Sequence, residues 1–200
     1  MFQHLRPAIV LTSLFTLLTG VIYPLAITGV AAVVAPGQAQ GSLLMMKDDV
    51  VVGSALIGQN FTSARYFHPR PSATSAPDPQ DSAKTIDAPY NAANSSGSNL
   101  GPLSQKLLDR VKADVEALRA ESPGAPAPAD AVTTSGSGLD PHVSPATALA
   151  QAPRVAKERN LSEERIRRLI DEHVEGRLFG LLGEPRVNIL LLNMALDRLN

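Results

Sequence analysis

No charged side chain occurs between Arg6 and Lys47, and within that gap Ile9 to Val34 is almost wholly apolar. At 1.5 Å per residue, its roughly 26 residues make about 39 Å of helix, more than the ~30 Å hydrocarbon core of a bilayer. A signal-peptide apolar region is only about 7–15 residues long, so a membrane anchor is favoured over a cleaved leader, although Val33-Val34-Ala35 and Gly37-Gln38-Ala39 have small-residue cleavage character. Pro24 removes one backbone donor in mid-helix, and a bend is expected there, eased by Thr19 and Gly20. Arg6 precedes the span, and Lys47 lies well beyond it beside Asp48 and Asp49. The positive-inside bias therefore places residues 1–8 in the cytoplasm, 9–34 across the membrane, 35–46 as a connector and 47–200 as an extracytoplasmic domain.

The patterning changes after the span. Val50-Val51-Val52 and Ala55-Leu56-Ile57 read as a short strand pair, or one strand broken at Gly53, in a core setting. Pro69 to Pro89 lacks apolar periodicity and predicts a long loop. Leu103, Leu107, Leu108, Val111, Val115 and Leu118 fall at helical spacing, opposite Lys106, Asp109, Arg110 and Lys112. Ser122 to Asp130, with three prolines, reads as a connector. Ser162 caps a predicted helix with Glu163 and Glu164 in its first turn and Ile166, Leu169 and Ile170 on its apolar face, ending near Gly176 or Gly180. Asn188 to Leu199 is a last helix, apolar enough to be buried and too short to span. The class is α+β: one N-terminal membrane helix, then a mostly helical domain with a short sheet.

Composition narrows the chemistry. A net charge of −1 with no basic block argues against a nucleic-acid or anionic-lipid partner, and the absence of cysteine removes disulfides, thiolate metal sites and thiol nucleophiles. Gly136-Ser137-Gly138 lacks the glycine two positions before the serine that a nucleophile elbow needs, because Ser135 stands there. No phosphate-cradling G-x-x-x-x-G-K-[ST] and no Asp-Lys-Thr-Gly-Thr phosphorylation sequence occurs, so any ATP is hydrolysed by another chain. His4, His68, His142 and His173 show no ligand spacing, and Asp140-Pro141 beside His142 reads first as a turn. Tyr66-Phe67-His68-Pro69-Arg70-Pro71-Ser72 suits a preorganised contact surface, or equally a core in which Arg70 is an internal tether.

Several stretches, taken in order, resemble one family: the small C subunit of the bacterial Kdp-type potassium-transporting ATPase. They are Thr19-Gly20-Val21-Ile22-Tyr23-Pro24, Gly41-Ser42-Leu43, Leu56-Ile57-Gly58-Gln59-Asn60-Phe61, Tyr66-Phe67 with Arg70-Pro71-Ser72, and Tyr90-Asn91 leading to Gly97-Ser98-Asn99-Leu100-Gly101-Pro102. Ser135 to His142, Gln151, Arg154-Val155-Ala156, Gly183 to Asn188 and Leu192-Asn193 follow.

The resemblance implies a non-catalytic subunit working with a channel-like potassium-binding subunit, a P-type ATPase subunit and a very small membrane peptide. It implies one membrane helix with an external domain, and a catalytic-chaperone role that raises the ATPase subunit's affinity for ATP, the ATP belonging to the complex. An external domain cannot touch cytoplasmic ATP, so such an effect would be a coupling between distant sites. Candidate partner-contact residues among the matching stretches are Thr19, Gly20, Tyr23, Pro24, Tyr66, Phe67, Arg70, Ser98, Asn99, Asp140, His142, Arg186 and Asn188. The alternatives are a membrane-anchored or secreted serine hydrolase using Ser137, Asp140 and His142, and an anchored binding protein for an external ligand.

Overall fold

The computed structural model describes residues 2–46, 49–121, 124 and 127–199. The Lys47–Asp48 flank used in the orientation argument, and Ser122, Pro123, Ala125 and Pro126 of the expected connector, lie outside the described residues. The chain divides into two compact units, Met1–Ser54 and Ala55–Asn200.

In the first unit a 3-10 turn, Phe2–His4, leads into α1 (Leu5–Leu17), a π-helical turn (Leu18–Ile22) and α2 (Tyr23–Val34). These form one 30-residue helix, Leu5–Val34, long and apolar enough to cross a membrane. The π turn has an identifiable cause. The ring of Pro24 would press on the carbonyl four residues earlier, and opening the helix to five-residue spacing relieves the clash. The N–H of Tyr23 accordingly donates to the Leu18 carbonyl, while the Thr19 hydroxyl donates back to Phe15 O at 2.7 Å. The expected irregularity at Pro24 is thus a π turn.

A four-residue helix, α3 (Pro36–Ala39), precedes an antiparallel pair, β1 (Leu43–Met45) and β2 (Val51–Ser54). The β-branched run does form a strand, but its partner is Leu43–Met45, and Ala55 to Ile57 are not in a strand. Its expected core setting is also corrected, since Val50 and Val51 are exposed. A two-stranded ribbon has no second layer to cover either face.

The second unit opens with irregular chain, then an antiparallel hairpin, β3 (Ser75–Pro77) with β4 (Thr85–Asp87), inside the stretch expected to be a loop. Next come α4 (Gln105–Glu121) and the short α5 (Ala129–Val132). The remainder runs β5 (His142–Val143), α6 (Pro145–Arg159), α7 (Glu163–Glu172), β6 (Val174–Glu175), β7 (Arg186–Asn188) and α8 (Ile189–Asp197). The last three strands form an antiparallel sheet in the order β5-β7-β6.

The core lies where α6, α7 and α8 meet this sheet. Ala148, Ala152, Val155, Ile166, Ile170, Val187, Leu192 and Leu196 close around Phe67, which reaches in from the loop chain. The caps are side chains with a defined job: Ser144, Ser162 and Asn188 accept from the backbone N–H three residues on. Asn160 ends α6 in the left-handed conformation, with Leu161 N bonded to Ala156 O.

Two expectations need correction. α7 ends at Glu172, and the chain enters β6 before reaching Gly176. The α4 row is only half-buried: none of its residues is fully buried, Leu108 is exposed and Leu103, just before the helix, is 95% exposed.

Candidate functional site

Asp140 and Pro141 lead into β5, whose register sets His142 opposite Asn188 on β7, while Arg186 lies opposite Glu175 on β6. Three short strands therefore gather side chains that are far apart in the chain. Arg70 enters from the loop and closes the row: its Nη1 donates to Asp140 Oδ2 at 3.0 Å. His142 Nδ1 lies 3.5 Å from Asp140 Oδ1 and its Nε2 lies 3.9 Å from Glu175 Oε2, while Arg186 Nε donates to Glu175 at 2.8 Å. The result is an alternating row, Arg70–Asp140–His142–Glu175–Arg186. It borders an open groove of about 820 Å³ whose other walls include Leu178, Leu182 and Pro185.

Asp140 is the pivot of this row. Partial burial opposes its ionisation, but hydrogen bonds from the side chain and backbone N–H of His142, with the donor and charge of Arg70, outweigh that and hold the carboxyl below its ordinary value. Tyr90 sits alongside, its hydroxyl donating to Arg70 O at 2.9 Å. Burial, followed by the Asp140 charge, raises the phenol well above its usual range.

A second groove, about 740 Å³, lies on the other side of Arg70, between α4 and the 68–73 and 97–100 segments; Ser98, Lys106, Arg110 and Asp114 are among its walls. Burial raises the Asp114 carboxyl, partly offset by Arg110, whose Nε is 3.9 Å away.

The loops around these grooves are fixed by hydrogen bonds that short polar side chains make to backbone. Ser72 Oγ donates to Gly138 O at 2.8 Å, and Thr74 Oγ1 donates to Ala88 O at 2.6 Å. Gly138 has φ +67°, and a Cβ there would sit 2.5 Å from Thr74 Cγ2 and 2.7 Å from Ser96 O. Only glycine fits both the conformation and the space. Gly58 is held to Leu139 O at 2.9 Å, and a Cβ on it would strike the Tyr90 ring.

The sequence-derived candidates fall into several places. Arg70, Asp140, His142, Arg186 and Asn188 come together. Asn188 is itself buried, its Nδ2 donating to Ala55 O at 2.9 Å. Ser98 lines the α4 groove, and the neighbouring Asn99 is exposed with φ +51°. Phe67 is 0% exposed, and Arg70 ties loops together through Asp140 and the Thr133 carbonyl while lining both grooves. Tyr66 is half-buried: its hydroxyl donates to Asp197 at 3.0 Å and Arg159 lies over its ring at 4.7 Å. Thr19, Gly20, Tyr23 and Pro24 lie in the long apolar helix, in the first unit.

The hydrolase geometry is unsupported. Ser137 Oγ accepts from Leu139 N at 3.1 Å, and His142 faces Asp140 and Glu175. Among the described residues no group of three or more His, Cys, Asp or Glu side chains is placed to hold a metal.

Other organising residues stand in the matching stretches but were not among the candidate contacts. Asn193 exchanges two hydrogen bonds with the backbone of Phe67, N–H to Oδ1 at 2.9 Å and Nδ2 to O at 3.0 Å. Gln151 does the same for His68, at 2.7 and 3.1 Å. For Asn193 the local signal was a lone amide on an otherwise apolar helical face. Tyr90 stands in a matching stretch, whereas Glu175 had no comparable local signal.

One membrane-length helix and a second, α+β unit carrying a row of alternating charges define a class of small membrane-associated proteins. The profile of the family described as "K+-transporting ATPase, c chain" matches residues 5–198. A protein of Methylobacterium nodulans named "Potassium-transporting ATPase KdpC subunit" is 65% identical over 199 residues, 100% of this chain and 98% of the relative. Proteins of the same name from Rhodopseudomonas palustris and Bradyrhizobium diazoefficiens are 64% and 62% identical, each covering 98% of its own length. This chain belongs to the KdpC family, the c chain of potassium-transporting ATPases.

Proposed function

We propose that the chain is a non-catalytic accessory subunit of an ATP-driven potassium uptake complex in the bacterial inner membrane. Its helix crosses the bilayer once, with residues 1–8 in the cytoplasm and residues 47–200 on the outer face. The observation that carries this reading is family membership along residues 5–198, at up to 65% identity to relatives named for a potassium-transporting ATPase. The exposed apolar surface of residues 9–34, preceded by Arg6, supports the topology.

The partners are a channel-like potassium-binding subunit, the P-type ATPase subunit and a very small membrane peptide. The helix docks on the channel-like subunit through its small and polar positions Thr12, Ser13, Thr16, Thr19 and Gly20, and the external unit stabilises the assembly. ATP is bound and hydrolysed by the ATPase subunit. The groove chemistry agrees: Arg70, Arg110 and Arg186 already face Asp140, Asp114 and Glu175, a neutralised lining poorly suited to a triphosphate. The chaperone effect on ATP affinity is then a coupling free energy between distant sites, arising from contacts that differ between two states of the assembly.

Affinity purification of the tagged chain from detergent-solubilised membranes tests this. The expected result is retention of the other subunits with potassium-stimulated ATPase activity. Recovery of the chain alone, with full potassium-stimulated activity in the fraction that lacks it, would overturn the proposal.

A further inference from the structure

At the π turn the Thr19 carbonyl loses the helix donors it would use at four- and five-residue spacing. The N–H groups that could serve the Thr19 carbonyl at four- or five-residue spacing belong to positions 23 and 24. The first donates to Leu18 O instead, and the second is Pro24, which has no N–H. Nor does the residue's own hydroxyl help, since its proton is committed to Phe15 O at 2.7 Å. Thr19 stands at the midpoint of Leu5–Val34, so in a bilayer its carbonyl lies at the depth where water is scarcest and an unpaired polar group is most costly. Next to it Gly20 has no heavy atom within 4 Å of where a Cβ would be, which leaves the adjoining surface open to close approach.

We infer that the Thr19 carbonyl is a docking acceptor, satisfied by a hydroxyl, amide or ammonium donor on a membrane helix of a partner subunit that packs against Gly20. The occupant follows from complementarity: an apolar neighbour would leave the acceptor bare, and a helix-borne donor satisfies it where solvent cannot. The inference rests on the accessory-subunit reading and deepens it, turning a general packing face into one directional contact. Pro24 thereby has a positive role, because its missing N–H creates the acceptor.

The full chain contains only two Thr-Gly pairs, Thr19-Gly20 and Thr28-Gly29. Carbonyl-13C threonine combined with 15N-glycine therefore selects two carbonyls, one at the π turn and one in regular α2 as an internal reference. Solid-state NMR of the chain alone in lipid bilayers is compared with the same chain in the assembled complex. The expected result is a downfield shift of the Thr19 carbonyl on assembly with the Thr28 carbonyl unmoved. Assembly without that shift overturns the inference while leaving the accessory-subunit reading intact. A Thr19 carbonyl already downfield in the isolated chain also overturns it, because a second copy or a local group then supplies the donor. Failure to assemble at all overturns the underlying reading, and this inference with it. As a second readout, Pro24→Ala, which restores a helix donor, is expected to weaken retention in the complex by roughly three- to tenfold, whereas Thr19→Val, which keeps the carbonyl, retains it.

Discussion

The two units bury their apolar side chains in opposite places. Along Leu5–Val34 no residue is buried and the large side chains face outward, whereas in Ala55–Asn200 Phe67, Ile166, Ile170, Leu192 and Leu196 are all at 0% exposure. The helix satisfies most of its backbone internally and leaves its side chains to the surroundings. The second unit does the reverse, spending side chains such as Asn193, Gln151 and Thr74 on irregular backbone so that loops can be held against a small core. The difference teaches that the second unit finds its apolar contacts within itself, while the helix leaves its apolar side chains free for its surroundings.

Breaking the core is the severest test of that comparison. Phe67→Ala in the detergent-solubilised full chain is expected to cost about 3–5 kcal/mol in chemical denaturation of the second unit and to leave membrane insertion unchanged. Asn193→Ala strands the buried N–H and carbonyl of Phe67, with an expected cost of about 2–4 kcal/mol by the same measurement.

Acid sharpens the comparison at an intermediate level. Burial, reinforced by the Arg154 charge and only partly opposed by the Ser63 carbonyl and Glu121, lowers His68 from 6.5. The unfolded chain therefore binds that proton more readily, so stability is complete above about pH 6.5 and declines as pH falls from there towards the lowered value. Asp140, lowered from 3.8, adds a second loss only at stronger acidity, as pH drops through its depressed value. Denaturation midpoints measured between pH 7.5 and 5.5 should fall, and His68→Gln should flatten the trend. The smallest effect is expected on the α4 side, where Leu103→Ser at an almost fully exposed position should change stability by no more than about 0.5 kcal/mol.

How much of this was legible in sequence depended on how local the cause was. The membrane-length helix, α4, the Ser162 cap of α7 and the apolar α8 all announce themselves through composition or 3.6-residue spacing. α6 does not, because Pro145 and Pro153 both punctuate it; it forms since Pro145 sits at its start, where no N–H is needed, and burial of Ala148, Ala152 and Val155 outweighs the bond lost at Pro153. The β5-β7-β6 sheet was invisible, as strands of two or three residues exist only through partners far along the chain. The site divides likewise. Asp140 and His142 are two residues apart and readable as neighbours, but their meeting with Arg70, Glu175 and Arg186 is decided by that sheet and by the 70s loop.

The central claim is that a single outward-directed crossing places the second unit outside the cell membrane, where it acts on the complex from a distance. The chain has no cysteine, so Leu103→Cys, at the 95% exposed position before α4, gives a unique label site. Treatment of intact cells with a membrane-impermeant maleimide, the outer membrane permeabilised where one is present, measures its side of the inner membrane. The account predicts complete labelling before lysis, and labelling only after inner-membrane lysis would contradict it.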